Sequence, residues 1–242
     1  MSPPGELHML WLIARRAALE AFRDRMTLTM SMFFVLVLPL GVVIFSVRPL
    51  ADKEDALGVV LATYLLLIGL MPAISAVGIA AGQFAGEKER GVLTPLLATP
   101  ASNVAIFGGK VLGAILLPLT YAAVAEIIYL AGVALLLGPQ RLQIIPPALA
   151  GAMLILVPGI TTFGATVASL ISSRVRTFNA AQQLTGLALL PAWGVTGSVA
   201  LKLPEWGTVG LVAVLSGVIV LDVTLLIVAA STWRREEVLS HT

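Results

Sequence analysis

Apolar residues run along this chain in six long stretches, and the polar residues gather between them. The first stretch, about Thr27–Val47, contains Pro39, whose missing N–H predicts a kink. The second, about Gly58–Gly82, is interrupted in register by Pro72. The third starts near Ser102, an N-cap candidate, and reaches Leu137, which is longer than the roughly 20 residues needed to cross a bilayer. Its first two turns should therefore project into water. A turn at Gly138, Pro139 and Pro146-Pro147 leads to the fourth, about Ala148–Ile171. The fifth starts near Asn179 and is compromised at Pro191, and the sixth covers about Gly207–Thr232. Between these last two, Pro191–Trp206 is too broken by Pro191, Gly194, Gly197 and Pro204 to cross, yet too apolar for an ordinary loop. It predicts a re-entrant or interfacial element on the outer side.

Ahead of the stretches, Leu7–Asp24 has a helical period. Leu7, Leu10, Trp11, Ala14, Ala17, Ala18, Ala21 and Phe22 share one side, and Arg15, Arg16, Glu20, Arg23 and Asp24 the other. A basic amphipathic helix of this kind lies in the membrane interface. The expected fold is all-α: a single membrane domain over 1–242, with an interfacial helix in 1–26 and a six-span bundle in 27–242.

Composition agrees with that pattern. The chain is 58% hydrophobic and 12% charged, with mean hydropathy +0.99, far less charged than a soluble domain. The net charge of +2 does not indicate a nucleic-acid partner, because the basic residues cluster at the ends of the apolar stretches. With both termini inside, eleven Lys and Arg fall on inner segments and four (Arg48, Lys53, Arg141, Lys202) on outer ones, which makes the termini and the 83–102 loop cytoplasmic. Arg15 and Arg16 interrupt the first apolar run, so it does not read as a cleavable signal peptide. There is no cysteine, and the two histidines, His8 and His241, lie near the termini. Thiol chemistry, Cys-based metal binding and an intramembrane enzyme built on His or Cys are excluded.

The densest polar chemistry lies between the second and third stretches, from Gln83 to Lys110. Glu87, Lys88, Glu89 and Arg90 stand side by side, Gly91 follows, and Val92–Ala98 can form one short amphipathic piece with Pro95 in its first turn. Leu93, Leu96 and Leu97 would be its apolar face. A solvated loop that merely anchors topology would carry similar charges. A folded piece tied at both ends to membrane helices can also transmit a push from a cytoplasmic partner.

The run GEKERGVLTPLLATP followed by NVAIFGGK resembles the signature of the ABC-2 type permeases, the membrane subunits of ATP-binding-cassette exporters. The likeness rests on Glu87, Lys88, Glu89, Arg90, Gly91, Leu96, Leu97, Thr99, Pro100 and Lys110. The interfacial helix, the six spans and the ending Arg234-Arg235-Glu236 follow the same layout. The resemblance implies an export permease in the cell's inner membrane, paired with a second permease copy and with two ATPase subunits. Glu87–Gly91, Leu93, Leu96, Leu97, Thr99 and Pro100 would couple it to those ATPases. ATP and magnesium would sit on the ATPases, with no cofactor on this chain. Relatives that share the motif and resemble sodium exporters carry a large outer domain after the first span, and here only about ten residues stand there, which leaves the substrate open. A phosphate-binding G-x-x-x-x-G-K-[ST] loop is absent: before Gly109-Lys110 the first glycine is replaced by Val104, and Val111 follows.

Two acids lie within spans, Glu126 in the third and Asp222 in the sixth, at depths differing by about 4–5 Å. They are either pathway contacts or carboxyls hydrogen-bonded to neighbours such as Thr120, Tyr121 or Thr224. An ion-coupled secondary transporter using both acids is the alternative function, weakened by the lack of a visible inverted repeat. Thr161, Thr162, Thr166, Gln182, Gln183 and Thr185 are candidates for helix–helix hydrogen bonds. Gly108, Gly109, Gly113, Gly151, Gly159 and Gly164 are candidates for close packing.

Overall fold

The structure, a computed structural model, describes residues 5–92 and 99–233, and every regular element within them is helical. Helix α1 (Glu6–Arg23) ends at Asp24, whose extended backbone turns the chain into α2 (Arg25–Met32). That helix continues through a π-helical turn (Phe33–Val37), α3 (Leu38–Val42), a second π-helical turn (Val43–Val47) and a 3-10 turn (Arg48–Leu50). Pro39 sits in α3 between the two π turns. It offers no N–H to the preceding turn, and the wider turns beside it absorb the mismatch. The expected kink is thus spread over two turns.

Helix α4 (Glu54–Ala81) runs on into a π-helical turn (Gly82–Gly86) and α5 (Glu87–Glu89). The interruption expected at Pro72 does not occur. With no water to take up its backbone groups, an apolar helix stays helical through a proline. Helix α6 (Asn103–Leu137) begins as expected at Ser102, whose Oγ accepts a hydrogen bond from the Ala105 N–H at 3.0 Å. It stops at Gly138, where φ is +99°. A 3-10 turn (Pro139–Ile144) leads into α7 (Pro147–Arg174), and Thr177 caps α8 (Phe178–Thr232).

The break expected at Pro191 falls instead at Gly207. The backbone stays helical from Phe178 through 191–206, then turns at Gly207 with φ 60° and ψ −150°. A single proline costs a helix one hydrogen bond, whereas that φ/ψ region is open essentially to glycine alone. Five helices among the described residues are long and apolar enough to cross a membrane: Phe33–Leu50, Ala56–Glu89, Asn103–Leu137, Pro147–Arg174 and Gly207–Thr232. The stretch expected as the fifth span is not one of them, and its first two turns carry Asn179, Gln182 and Gln183.

Helices α4, α6 and α7 form the centre, with α1 laid on α6 and α8 on α7. The interior has two layers. At the end nearer α5, small residues (Ala76, Ala80, Ala114, Ala165, Ala168) surround Phe84, Phe107 and Trp233. At the other end Leu57, Leu61, Leu65, Ile68 and Val133 pack around Tyr129, whose hydroxyl donates to the Leu61 carbonyl at 3.2 Å. Large apolar side chains such as Leu135, Leu154, Val209 and Ile227 stay exposed on the outside. This is the exterior of a protein solvated by lipid.

Candidate functional site

The expected hinge continues from α4 and is held by bonds to two further helices, α6 and α7. A π-helical turn carries one more residue than an α turn and disturbs the regular i→i−4 pairing. Two outside groups serve the backbone there. Ser172 of α7, fully buried, donates to the Ala81 carbonyl at 2.5 Å and accepts from the Ala85 N–H at 2.8 Å. From α6, the Lys110 ammonium donates to the Gln83 carbonyl at 2.5 Å. Lys110 is 1% exposed, and its charge is matched by Glu87 Oε1 at 2.6 Å and by the face of Phe84, 4.9 Å from the ring centroid. A buried ammonium with a carboxylate, a carbonyl and an aromatic face is satisfied as well as such a group can be.

Lys88 reaches the other way. Its Nζ donates to the carbonyls of Ser173 (2.6 Å) and Val175 (3.3 Å), at the end of α7 where helix carbonyls lack partners and the dipole is negative. The hinge helix closes at Gly91, with φ +68°. The Val92 N–H bonds to the Glu87 carbonyl and the Gly91 N–H to the Lys88 carbonyl, both at 3.0 Å. This is a Schellman closure. Glu89 and Arg90 remain exposed, although Arg90 Nε donates to the Gly86 carbonyl at 3.0 Å. Leu93, Leu96 and Leu97, the expected apolar face, lie outside the described residues. Thr99 is half-buried and Pro100 exposed where the chain returns.

Two further elements converge here. Phe84, Phe107 and Trp233 form an aromatic cluster with centroids 5.7–6.3 Å apart, tying the end of α8 to the hinge. On α1, the buried face is Ala14, Ala17 and Ala21. A Cβ on Gly109 would meet the Leu10 carbonyl oxygen at 2.8 Å, and one on Gly113 the Ala14 carbonyl oxygen at 2.7 Å. The helix backbones approach closely through glycines one turn apart, as expected of Gly109 and Gly113. Trp11 and Phe22 stay exposed beside that contact, and Arg16 pairs with Glu20 at 2.8 Å.

Beside the hinge opens a cavity of about 1020 Å³ between α1, the first span, α4 and the start of α8. Arg16, Glu20, Arg23, Asp24, Glu89 and Arg90 line its mouth, while Phe34, Val35, Met71 and Ile74 line its apolar reach.

The two acids are not brought together. The Glu126 carboxyl lies against Gly69 of α4, in the same place as Met153 and Val157 of α7, and Asp222 lies against Gly159. Positions 157 and 159 point about 200° apart around α7, so that helix stands between the carboxyls. Glu126 Oε1 and Asp222 Oδ1 are buried without a hydrogen-bond partner. Thr120, an expected partner of Glu126, bonds back to the Leu116 carbonyl instead. The threonines expected to join helices behave likewise: Thr161, Thr166 and Thr185 each donate to the carbonyl four residues back, the local bond such hydroxyls favour. Gly159 and Gly164 do pack closely, but Gly151 faces open space.

Reading the sequence missed Gln83, Phe84, Phe107, Ser172 and Trp233 as parts of this site. It counted Lys110 only as an inner charge and a motif residue. The available signal was a lysine seven residues inside an apolar helix, since such a charge requires a partner.

An all-helical bundle with several long apolar helices and a lipid-type exterior is a multi-pass membrane protein. The profile of the ABC-2 type transporter family matches residues 8–206, so the chain belongs to that family. It is the membrane permease component of an ATP-binding-cassette transporter, not a catalytic subunit, and this membership implies an ATPase partner. No curated protein matches the chain.

Proposed function

We propose that this permease is an exporter, worked by a separate ATPase that acts on the 83–102 hinge. What carries the reading is the Glu87–Lys110–Ser172 knot: the segment implied to receive the push continues from α4 and is bonded to the ends of α6 and α7. A load applied there would move α4, α6 and α7 together, and α8 through Trp233. Glu89 and Arg90, exposed beside the knot, are the docking charges, continued by Leu93, Leu96, Leu97, Thr99 and Pro100. Glu87, Lys88 and Gly91 set the shape of the hinge.

The rest of the architecture follows from that use. The chain is one membrane domain, with the interfacial helix in 1–26 and the bundle in 27–242. The helix beginning at Phe178 supplies the fifth of six crossings, and 191–206 turns back at the outer face through Gly207. Two permease copies assemble with two ATPases in the inner membrane, their termini and hinges cytoplasmic. ATP and magnesium belong to the ATPases. The ion-coupled alternative is disfavoured because α7 separates Glu126 from Asp222.

The structure changes which substitution tests the coupling. Glu87→Lys would set a second cation against buried Lys110 and disturb folding by itself. Glu89→Lys combined with Arg90→Glu reverses only exposed charges. That variant should insert and melt like the parent while losing co-purification of the ATPase. Unchanged co-purification and unchanged transport would remove the docking role.

A further inference from the structure

We propose that the cavity beside the hinge binds a neutral amphiphile, its uncharged hydroxyl or amide head on Gln83 and its hydrocarbon chain along Phe34, Val35, Met71 and Ile74. This deepens the permease reading by naming the class of molecule that enters from the inner side.

Gln83 is the first observation. It is 7% exposed and lines the cavity, and neither its Nε2 nor its Oε1 has a hydrogen-bond partner. A buried amide left unpaired is destabilising and calls for an explanation. A ligand offering one donor and one acceptor, as a hydroxyl does, satisfies both atoms. A carboxylate offers no donor and an ammonium no acceptor, so each would leave half of the amide unmet.

Charge is the second. Three arginines (Arg16, Arg23, Arg90) and four acids (Glu20, Asp24, Glu87, Glu89) line the cavity. Two of these seven are already committed to each other in the Arg16–Glu20 pair, and Glu87 is committed to Lys110. With Glu87 matched to Lys110, the lining holds three positive and three negative side chains, a balance that favours neither an anion nor a cation. Size is the third: about 1020 Å³ is at the upper end of small-molecule pockets, and the lining combines apolar side chains with charged ones.

The test uses the full chain in phosphatidylcholine nanodiscs, with a photoactivatable monoacylglycerol and with a fatty acid and an alkyltrimethylammonium bearing the same chain. The monoacylglycerol should label residues 31–35 and 71–83 saturably, and the two ionic probes about tenfold less at equal concentration, the discrimination expected from one unmet buried hydrogen bond. Gln83→Leu should weaken the neutral probe's labelling by a similar factor. Ile74→Trp, at an exposed position on the cavity wall, should narrow the cavity and lower saturable labelling several-fold while helix content and yield stay unchanged. If Gln83→Leu fails to insert, Ile74→Trp decides the matter. Equal labelling by all three probes, labelling that does not saturate, or labelling untouched by Ile74→Trp overturns the proposal. Co-purification of the ATPase is scored on the same samples. Saturable neutral labelling without ATPase association would keep this site and sink the export reading, and the reverse result would do the opposite.

Discussion

Lys110 and Glu126 lie sixteen residues apart on α6, both ionisable and both inside the bundle, yet the fold serves them in opposite ways. Lys110 has a carboxylate, a backbone carbonyl and an aromatic face around it. The Oε1 of Glu126 has no partner and lies against a glycine. In an apolar surrounding a fully met charge works as a cross-link, since removing either side leaves the other stranded. An unmet carboxyl contributes little to holding helices together, which leaves it free to answer to something that passes. The lysine thus reads as architecture and the glutamate as the better candidate for function.

The largest effect should come from stranding the lysine. Glu87→Ala leaves the Lys110 ammonium buried without its counter-ion, a loss of about 3–5 kcal/mol. Replacing both partners, Glu87→Gln with Lys110→Met, should recover most of that, because an apolar isostere needs no partner. Denaturation of the detergent-solubilised protein measures both variants. If Glu87→Ala is as stable as the parent, the knot is not a cross-link and the contrast with Glu126 collapses.

Next comes the docking of α1 on the glycine pair. Gly113→Val drives a side chain into the Ala14 backbone and the Ala17 methyl, an overpacking of about 1–3 kcal/mol. The chain has no cysteine, so a single Ala14→Cys reports the contact cleanly. Its thiol should resist maleimide in the parent background, where Ala14 is fully buried, and react once Gly113→Val is added. Continued protection would mean that α1 is held by something other than the Gly109–Gly113 approach.

Ser172→Ala should have an effect of similar size. It removes one hydroxyl that serves the Ala81 carbonyl and the Ala85 N–H, and two unmet backbone groups should cost about 1–3 kcal/mol. The loss should be largely independent of salt, unlike that of an exposed ion pair. A strong salt dependence would place the defect at the charged mouth instead.

These three sites show what the sequence carried and what it did not. The helix ends at Ser102, Gly138 and Thr232 follow from local chemistry, and so does the packing at Gly109 and Gly113, because caps and small-residue spacing act over one or two turns. The Lys110–Glu87 pair joins residues 23 apart on different helices, and Ser172 reaches across about ninety positions; only the packing of α4, α6 and α7 brings them together. The same holds for the break at Gly207. Pro191 carries the louder local signal, but a proline costs the helix one hydrogen bond, and the break falls at a glycine further on, where the backbone takes φ 60° and ψ −150°. The hinge charges were legible as a group, while their division into a buried Glu87–Lys110 pair and exposed Glu89 and Arg90 was not.

The smallest effect on stability, and the most informative about function, concerns the acids themselves. Glu126→Gln and Asp222→Asn keep size and hydrogen-bonding capacity while removing a carboxyl. Since Glu126 Oε1 and Asp222 Oδ1 make no hydrogen bond, each change should alter stability by less than about 1 kcal/mol. Their effects on transport should differ. Glu126 belongs to α6, the helix that continues from the hinge and moves with Lys110, so Glu126→Gln should lower substrate-stimulated ATPase of the assembled complex at unchanged basal rate. Asp222 sits on the far side of α7, on a helix that meets the hinge only near its ends, at Phe178 and Ala181 and at Trp233, among the described residues, and Asp222→Asn should be silent in both assays. Gly69→Ala provides an independent check, because its methyl would overlap the Glu126 carboxyl and should reproduce the transport defect with the acid still present. If Glu126→Gln transports normally while Gly69→Ala fails, the glycine acts through packing alone, and Glu126 joins Asp222 as an acid without a place in the pathway.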